Sequence, residues 1–244
     1  IDQFNIPAWL DKMVANNWLG DKTGQGFFKK TKNEKGEKEI LTLDLDTMEY
    51  GPRVKPKFAT IDAAKPIDDL YSRLKMLVAG HDKAGEFYRL FHYGLFSYIS
   101  HRIPEISDEL YRVDDGMMGG FGWEIGAFES WDVLGVAKTT EAMKAAGYKV
   151  APWVDEMLAA GNKSFYKVEA GVKYSYDPAS KTYKPLPGGE AFIVMSNYTD
   201  KQIWKNGSCK LYDLGDDVLG LQWFTKMGSI GGDVLSGIQT SIDK

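Results

Sequence analysis

The sequence predicts a mainly α-helical chain with β-hairpin additions, followed by a short α/β segment too small to close a core of its own. Three observations carry this reading. Apolar residues recur at helical spacing from Ile67 to Met117; alternating, glycine-punctuated runs lie on either side of that region; and after Pro187 the pattern changes to short strands ahead of one last helical run.

Taken in order, residues 7–17 place Trp9, Leu10, Met13 and Val14 on one helical stripe. A glycine-rich turn, Gly20-Asp-Lys-Thr-Gly24-Gln-Gly26, leads into a strand at Phe27-Phe28-Lys29-Lys30. The charged run KKTKNEKGEK, residues 29–38, reads as a solvated hairpin tip, and Ile40-Leu-Thr-Leu-Asp-Leu45 returns as the second strand. Residues 51–56 hold two prolines and read as a linker, which puts a domain boundary near Pro56. Beyond it, Leu70, Leu74, Leu77 and Val78 form one stripe, and Phe87, Leu90, Phe91, Leu95, Tyr98 and Ile99 a second, aromatic one. Pro104 ends or kinks that helix, and Ile106, Leu110, Val113 and Met117 make a third stripe. Residues 191–195, 209–214 and 218–224 read as strands with a turn at Gly215-Asp216, and residues 230–242 as the start of a helix.

Composition narrows the function classes. With 43 % apolar and 26 % charged residues the chain is an ordinary globular sequence, and 244 residues suffice for one large or two small domains. A net charge of −4 offers no basic face for nucleic acid. The single cysteine, Cys209, excludes an internal disulfide framework and fits a reducing compartment. No apolar run approaches the ~20 residues of a bilayer span and no signal-peptide pattern opens the chain, so the expectation is a cytoplasmic protein without integral membrane association. Ile1 is no initiator methionine and Lys244 falls inside a helix-spaced run; the sequence reads as a piece of something longer.

The chain is organised around residues 119–135, GGFGWEIGAFESWDVLG, in which Gly120, Gly122 and Gly126 stand among Phe121, Trp123, Phe128 and Trp131. Glycines permit close approach and rings supply apolar area, so this stretch is expected to form a buried turn and helix start with Trp123 enclosed, while Glu129 and Asp132 keep one side wet. Trp123 and Phe128 are candidate walls of an acyl or pantetheine channel, the other reading being plain core. Asp114 and Asp115 read as helix-capping groups rather than a catalytic pair. His81, His92 and His101 lack metal-ligand spacing, and Cys209 has only Lys210 as a basic neighbour, which speaks against a reactive thiolate. The spacing Gly20-x-x-x-Gly24-x-Gly26 mimics a dinucleotide loop in the wrong order, after a helix and before a strand.

The order Gly-x-Gly-aromatic-x-x-Gly-x-Phe followed by Asp-x-x-Gly, residues 120–135, resembles the C-terminal helical domain of the 3-hydroxyacyl-CoA dehydrogenases, with Glu124 and Ala127 where that family has proline. The run WLGDKTGQGF, residues 18–27, is similar to the closing segment of such a domain. Trp9-Leu-Asp-Lys-Met13 with Phe27-Phe-Lys29 recurs as Trp153-Val-Asp-Glu-Met157 with Phe165-Tyr-Lys167, a weak internal repeat that implies two copies of one closing element. Residues 217–230 resemble the first strand and helix of the crotonase fold of enoyl-CoA hydratases, with Gly228 where asparagine is common. The resemblance implies three parts: 1–56 the end of a first dehydrogenase C-terminal domain, 57–190 a second, and 191–244 an incomplete α/β crotonase start. It further implies a fatty-acid β-oxidation protein, a 3-hydroxyacyl-CoA dehydrogenase fused to an enoyl-CoA hydratase. NAD would be bound elsewhere in the parent and not by this segment, whose part would be acyl-CoA environment and contacts with neighbouring domains or a homodimer. His101 stands where the family reads asparagine, in a segment that approaches substrate, and is the third candidate contact. A non-catalytic helical scaffold is the alternative.

Overall fold

The computed structural model describes residues 5–244, in two compact units, Ile1–Phe58 and Ala59–Lys244. In the first, α1 (Ala8–Ala15) leads through a short 3-10 turn at Asp21–Thr23 into an antiparallel meander of β1 (Phe28–Lys32), β2 (Lys38–Leu43) and β3 (Tyr50–Pro52). Of the expected stripe on α1 only Met13 is buried. The proline-bearing stretch predicted as linker begins instead with β3, because Leu41, Thr42 and Leu43 offer a free edge that Pro52, Gly51 and Tyr50 pair with.

The second unit opens with α2 (Ala59–Ala64), α3 (Leu70–Ala79), α4 (Lys83–His101), α5 (Leu110–Phe121), α6 (Ala127–Leu134), α7 (Val136–Ala145) and α8 (Pro152–Ala159). Helix starts follow their caps: Asp69 accepts from the Ser72 amide at 2.7 Å, and Asp82 from Ala84 and Gly85 at 3.1 and 3.0 Å. Asp82 also takes the Thr60 amide, and these bonds hold its carboxyl down at about 2. A second meander, β4 (Tyr166–Glu169), β5 (Val172–Asp177) and β6 (Thr182–Pro185), follows α8.

The core is aromatic. Phe96 of α4 stacks on Trp131 of α6 at 4.8 Å with the rings 2° from parallel, and Phe165 packs against Phe128, Trp131 and Trp153. This selects the inward face of α4 as His92, Phe96 and Ile99, and leaves Phe87, Leu90 and Phe91 exposed. The helix carries aromatic residues around much of its circumference, so spacing alone picked a stripe shifted from the buried one. Helix α5 begins at Leu110, so Ile106 falls outside it, exposed, in the turn after Pro104. Trp131, fully enclosed, is the buried tryptophan of the glycine–aromatic stretch; Trp123 is half-buried and Phe121 is 78 % exposed, contrary to the expectation for this turn. Their placement follows from Gly122, which ends α5 in the left-handed conformation and turns residues 121–125 outward before α6 begins.

The internal repeat is also a repeat of structure. Each copy is a helix followed by a three-stranded antiparallel meander, and equivalent residues make equivalent contacts. Trp9 meets Phe27, and Trp153 meets Phe165, edge-on at 5.7 Å in both cases. The Trp18 amide bonds the Met13 carbonyl as Asn162 bonds Met157. Leu43 donates to Phe27 as Tyr176 does to Phe165. The Tyr50 hydroxyl donates to the Gly26 carbonyl as Tyr183 does to Ser164, and the ammonium groups of Lys29 and Lys167 stand over those two tyrosine rings. The copies differ in burial: Phe27 is 47 % exposed where Phe165 is 0 %.

The last part carries a 3-10 stretch at Met195–Lys201 and a third antiparallel sheet of β7 (Gln202–Lys205), β8 (Cys209–Gly215) and β9 (Val218–Trp223), followed by α9 (Gly232–Asp243). Residues 191–195 do not form the expected strand; β7 takes the edge of β8 that such a strand would need. Helix α9 packs on this sheet: Val234 is fully buried, and Gly237 fits against Cys209 and Trp204. Leu235 and Ile242 on the same helix stay exposed.

Trp131→Ala should lower the unfolding free energy by about 3–5 kcal/mol, the usual cost of deleting a buried ring, and Trp123→Ala by about 1 kcal/mol or less. Urea denaturation of the two variants checks this, and equal losses would contradict the assignment of Trp131 as the core ring.

Candidate functional site

Three carboxylates gather along α6: Asp114 at its start, Glu129 in its first turn and Asp132 in its last. Asp114 sits in the middle of α5, not ahead of it, and its buried carboxylate crosses to the N-terminus of α6. It accepts the amides of Phe128 at 2.8 Å and Glu129 at 3.0 Å, and the Tyr166 hydroxyl at 2.9 Å. It therefore caps a helix, as its residue type predicts, but a helix distant in sequence. Helix α6 has no cap of its own because Gly126 occupies the N-cap position. Glycine is required there: a Cβ would stand 2.2 Å from the Cβ and Cγ of Asp114.

Asp132 lies in the last turn of α6, where the helix dipole opposes a negative charge. Instead of facing water it accepts the amides of Phe165 at 2.7 Å and Tyr166 at 2.8 Å, tying the end of α6 to the start of β4. Glu129 accepts the Tyr71 hydroxyl at 2.7 Å and approaches Lys173 at 3.5 Å. Both residues expected to keep the stretch wet thus bind inward. Burial pushes the Asp114 carboxyl up to about 6 and that of Asp132 to about 7, with their amide donors opposing the shift. Burial and the neighbouring Asp114 carboxylate raise the Tyr166 phenol well above its ordinary value. Asp132 escaped sequence reasoning because an aspartate beside exposed-looking glycines reads as solvated; Asp-x-x-Gly at the end of a helix was the available signal.

The three predicted contact residues do not meet. His101 is the exposed last residue of α4, its Nδ1 2.7 Å from the Ser97 carbonyl of its own helix. Trp123 lies against Phe91, 6.1 Å between centroids, on the exposed aromatic face that Phe87 extends by stacking on Phe91 at 6.2 Å. Ten residues of helix separate Phe91 from His101, about 15 Å at 1.5 Å per residue. Phe128 is fully buried between Trp153 and Phe165. His92, also buried, is satisfied by the Tyr88 carbonyl at 2.6 Å, and burial lowers its pKa. Among the described residues no group of three His, Cys, Asp or Glu side chains is placed to hold a metal. Burial raises the pKa of the Cys209 thiol, as expected of an inert cysteine.

The residues present do not fit a dinucleotide. The loop from Gly20 to Gly26 lies between α1 and β1 and closes on itself: the Gly20 amide donates to the Gln25 carbonyl at 2.9 Å, and a Cβ on Gly26 would stand 2.8 Å from the Gly20 Cα. A second glycine cluster, Gly228, Gly231 and Gly232, does join a strand to a helix, but β9 belongs to an antiparallel sheet, without the parallel βαβ pair of a nucleotide fold.

No family model and no solved structure matches the chain. Over 243 residues, 99 % of this chain, it is 33 % identical to a Bacillus subtilis (strain 168) protein named "Probable 3-hydroxyacyl-CoA dehydrogenase", of which it covers 30 %. It is 24 % identical over 166 residues to a Rickettsia felis protein named "Putative fatty acid oxidation complex trifunctional enzyme", covering 68 % of this chain and 21 % of that protein. The chain thus spans less than a third of the length of either relative.

Because the folded-state values of Asp114 and Asp132 lie above the ordinary aspartate value of 3.8, the native state keeps protons that the unfolded chain releases. The contribution of this pair to stability should therefore fall as pH rises from about 4 to about 7 and level off above. Asp132→Asn should remove its share of that slope. It should also cost about 1–3 kcal/mol, since the two amides bond different carboxylate oxygens and one of them would face the NH2 of asparagine, itself a donor. Chemical denaturation across that pH range measures both, and an unchanged slope would contradict the assignment.

Proposed function

We propose that this chain is the central part of a 3-hydroxyacyl-CoA dehydrogenase of fatty-acid β-oxidation, in which NAD is held by another part of the polypeptide. The observation that carries the reading is the 33 % identity to the Bacillus subtilis protein, which runs across 99 % of the chain instead of a single motif. Residues 1–56 are then the close of one dehydrogenase C-terminal domain, 57–190 a second, and 191–244 the start of an enoyl-CoA hydratase domain, in a cytoplasmic enzyme. The repeated helix and meander support two copies. The exposed Trp9–Phe27 face of the first copy corresponds to the face that α4 and α6 cover in the second, and a helical body of that kind would bury it. The segment's part is contact with neighbouring domains or a second copy and a share of the acyl-CoA environment. His101 and Trp123 offer it from the surface; Phe128 acts from within by holding α6 in place.

A second reading, a helical scaffold without substrate contact, is favoured by one observation: the buried carboxylates of the helix junction bind backbone amides and a tyrosine, which makes them structural groups. The two readings differ in ligand binding, since only the first requires acyl-CoA to bind the chain.

The 244 residues alone should form no NADH from 3-hydroxyacyl-CoA and should not consume enoyl-CoA, while a polypeptide of the relatives' length containing them should oxidise the first substrate. Absorbance assays on both proteins test this. Turnover by the short chain that survives repurification and is lost in His101→Ala would move the active site into it.

A further inference from the structure

The end of α3 and the first half of α4 face α6 and α7 across a groove of about 670 Å³ that the carboxylate cluster does not use. Lys75, His81, Arg89 and Lys138 line it, together with an apolar floor of Val78, Tyr93 and Leu134, and no carboxylate is among its lining residues. On a chain of net charge −4 such a one-signed cluster runs against the average. Among the described residues Lys75, Arg89 and Lys138 form no ion pair. Arg89 is half-buried and fixed in place: its Nη1 donates to the Val78 carbonyl at 2.9 Å and also to that of Gly80, which orients the guanidinium and leaves its other donors toward further partners. The wall supplied by α7 adds to this. Its N-cap is Gly135, with φ of +86° and no side chain to cap with, so the amides of the first turn ahead of Thr139, which bonds the Gly135 carbonyl at 2.9 Å, have no side-chain acceptor.

We propose that this groove binds the phosphate-bearing part of a ligand that also carries an apolar arm, the chemical class to which acyl-CoA belongs. An arginine held by two backbone carbonyls, two lysines outside any ion pair and helix amides without a side-chain cap together select phosphate oxygens. The apolar floor excludes a bare hydrated ion as the best occupant, and the volume falls in the range of small-ligand sites, roughly 300–1,000 Å³. The choice of acyl-CoA within that class rests on the function proposed above; the phosphate specificity rests on the groove alone.

Calorimetric titration of the chain with coenzyme A, 3′-dephospho-coenzyme A and inorganic pyrophosphate tests it. Coenzyme A should bind, more tightly than pyrophosphate, with an affinity that falls as salt rises. The exposed-site reversals Lys75→Glu and Lys138→Glu should each weaken binding about tenfold or more, since the sign of the local charge changes, whereas Lys205→Glu on β7 should not. Pyrophosphate binding as tight as that of coenzyme A, and lost in both groove variants, would uphold the phosphate site while removing support for acyl-CoA as its ligand. Coenzyme A binding unaffected by either variant would overturn the groove and leave the dehydrogenase reading standing. Absence of binding by all three probes would overturn the groove proposal.

Discussion

The helical unit depends on two carboxylates that leave water in order to serve backbone amides. Asp114 supplies the cap that α6 cannot supply for itself, and Asp132 joins the far end of that same short helix to the first strand of the meander. Between them, Trp131 and Phe128 are carried into the core on an eight-residue helix. A helix of that length is marginal alone, so its packing and its caps decide whether it forms. Gly126 is the steric counterpart, since the approach of Asp114 leaves no room for a side chain. The cost is electrostatic: burial raises both carboxyls far above their ordinary range, and the hydrogen bonds recover only part of it.

Much of this architecture was legible in the sequence. The helices themselves, the first hairpin with its charged tip, the stop after His101 ahead of Pro104 and the final strand–turn–strand–helix order follow from local rules, although the buried faces of α1 and α4 differ from the stripes that spacing gives. So did the internal repeat, because Trp, Met, Phe and Lys at matching positions are required by matching contacts: an edge-on Trp–Phe pair, a buried methionine and a lysine over a tyrosine ring. What local rules could not give was the choice among competing partners. α4 offers several aromatic faces and α6 selects one; residues 191–195 have strand composition but lose the edge of β8 to β7; Trp123 and Trp131 are alike in one dimension and separated by the turn at Gly122. Asp132 was misread for the same reason, since the amides that bind it come from residues more than thirty positions later.

Function was less legible, because the site residues that composition brings forward do not converge. His101, Trp123 and Phe128 lie at a helix end, on an exposed aromatic face and inside the core respectively. The groove between α3, α4, α6 and α7 draws Lys75, Arg89 and Lys138 from three separate helices and His81 from the α3–α4 connection, residues that look like solvated surface in sequence. Only the fold shows that they face one another without a carboxylate between them. The same helix junction that orders α6 also sets Val133 and Leu134 against that groove, so the structural carboxylates and the basic cleft share an element without sharing chemistry.

Amide hydrogen exchange at Phe128, Glu129, Phe165 and Tyr166 tests most directly whether the two carboxylates hold this junction. The four amides should exchange as slowly as the centre of α4 in the unaltered chain. Asp114→Asn should selectively release the first two and Asp132→Asn the last two, with the rest of the helical body still protected. Protection that survives both substitutions, or is already absent in the unaltered chain, would contradict the role assigned to the pair.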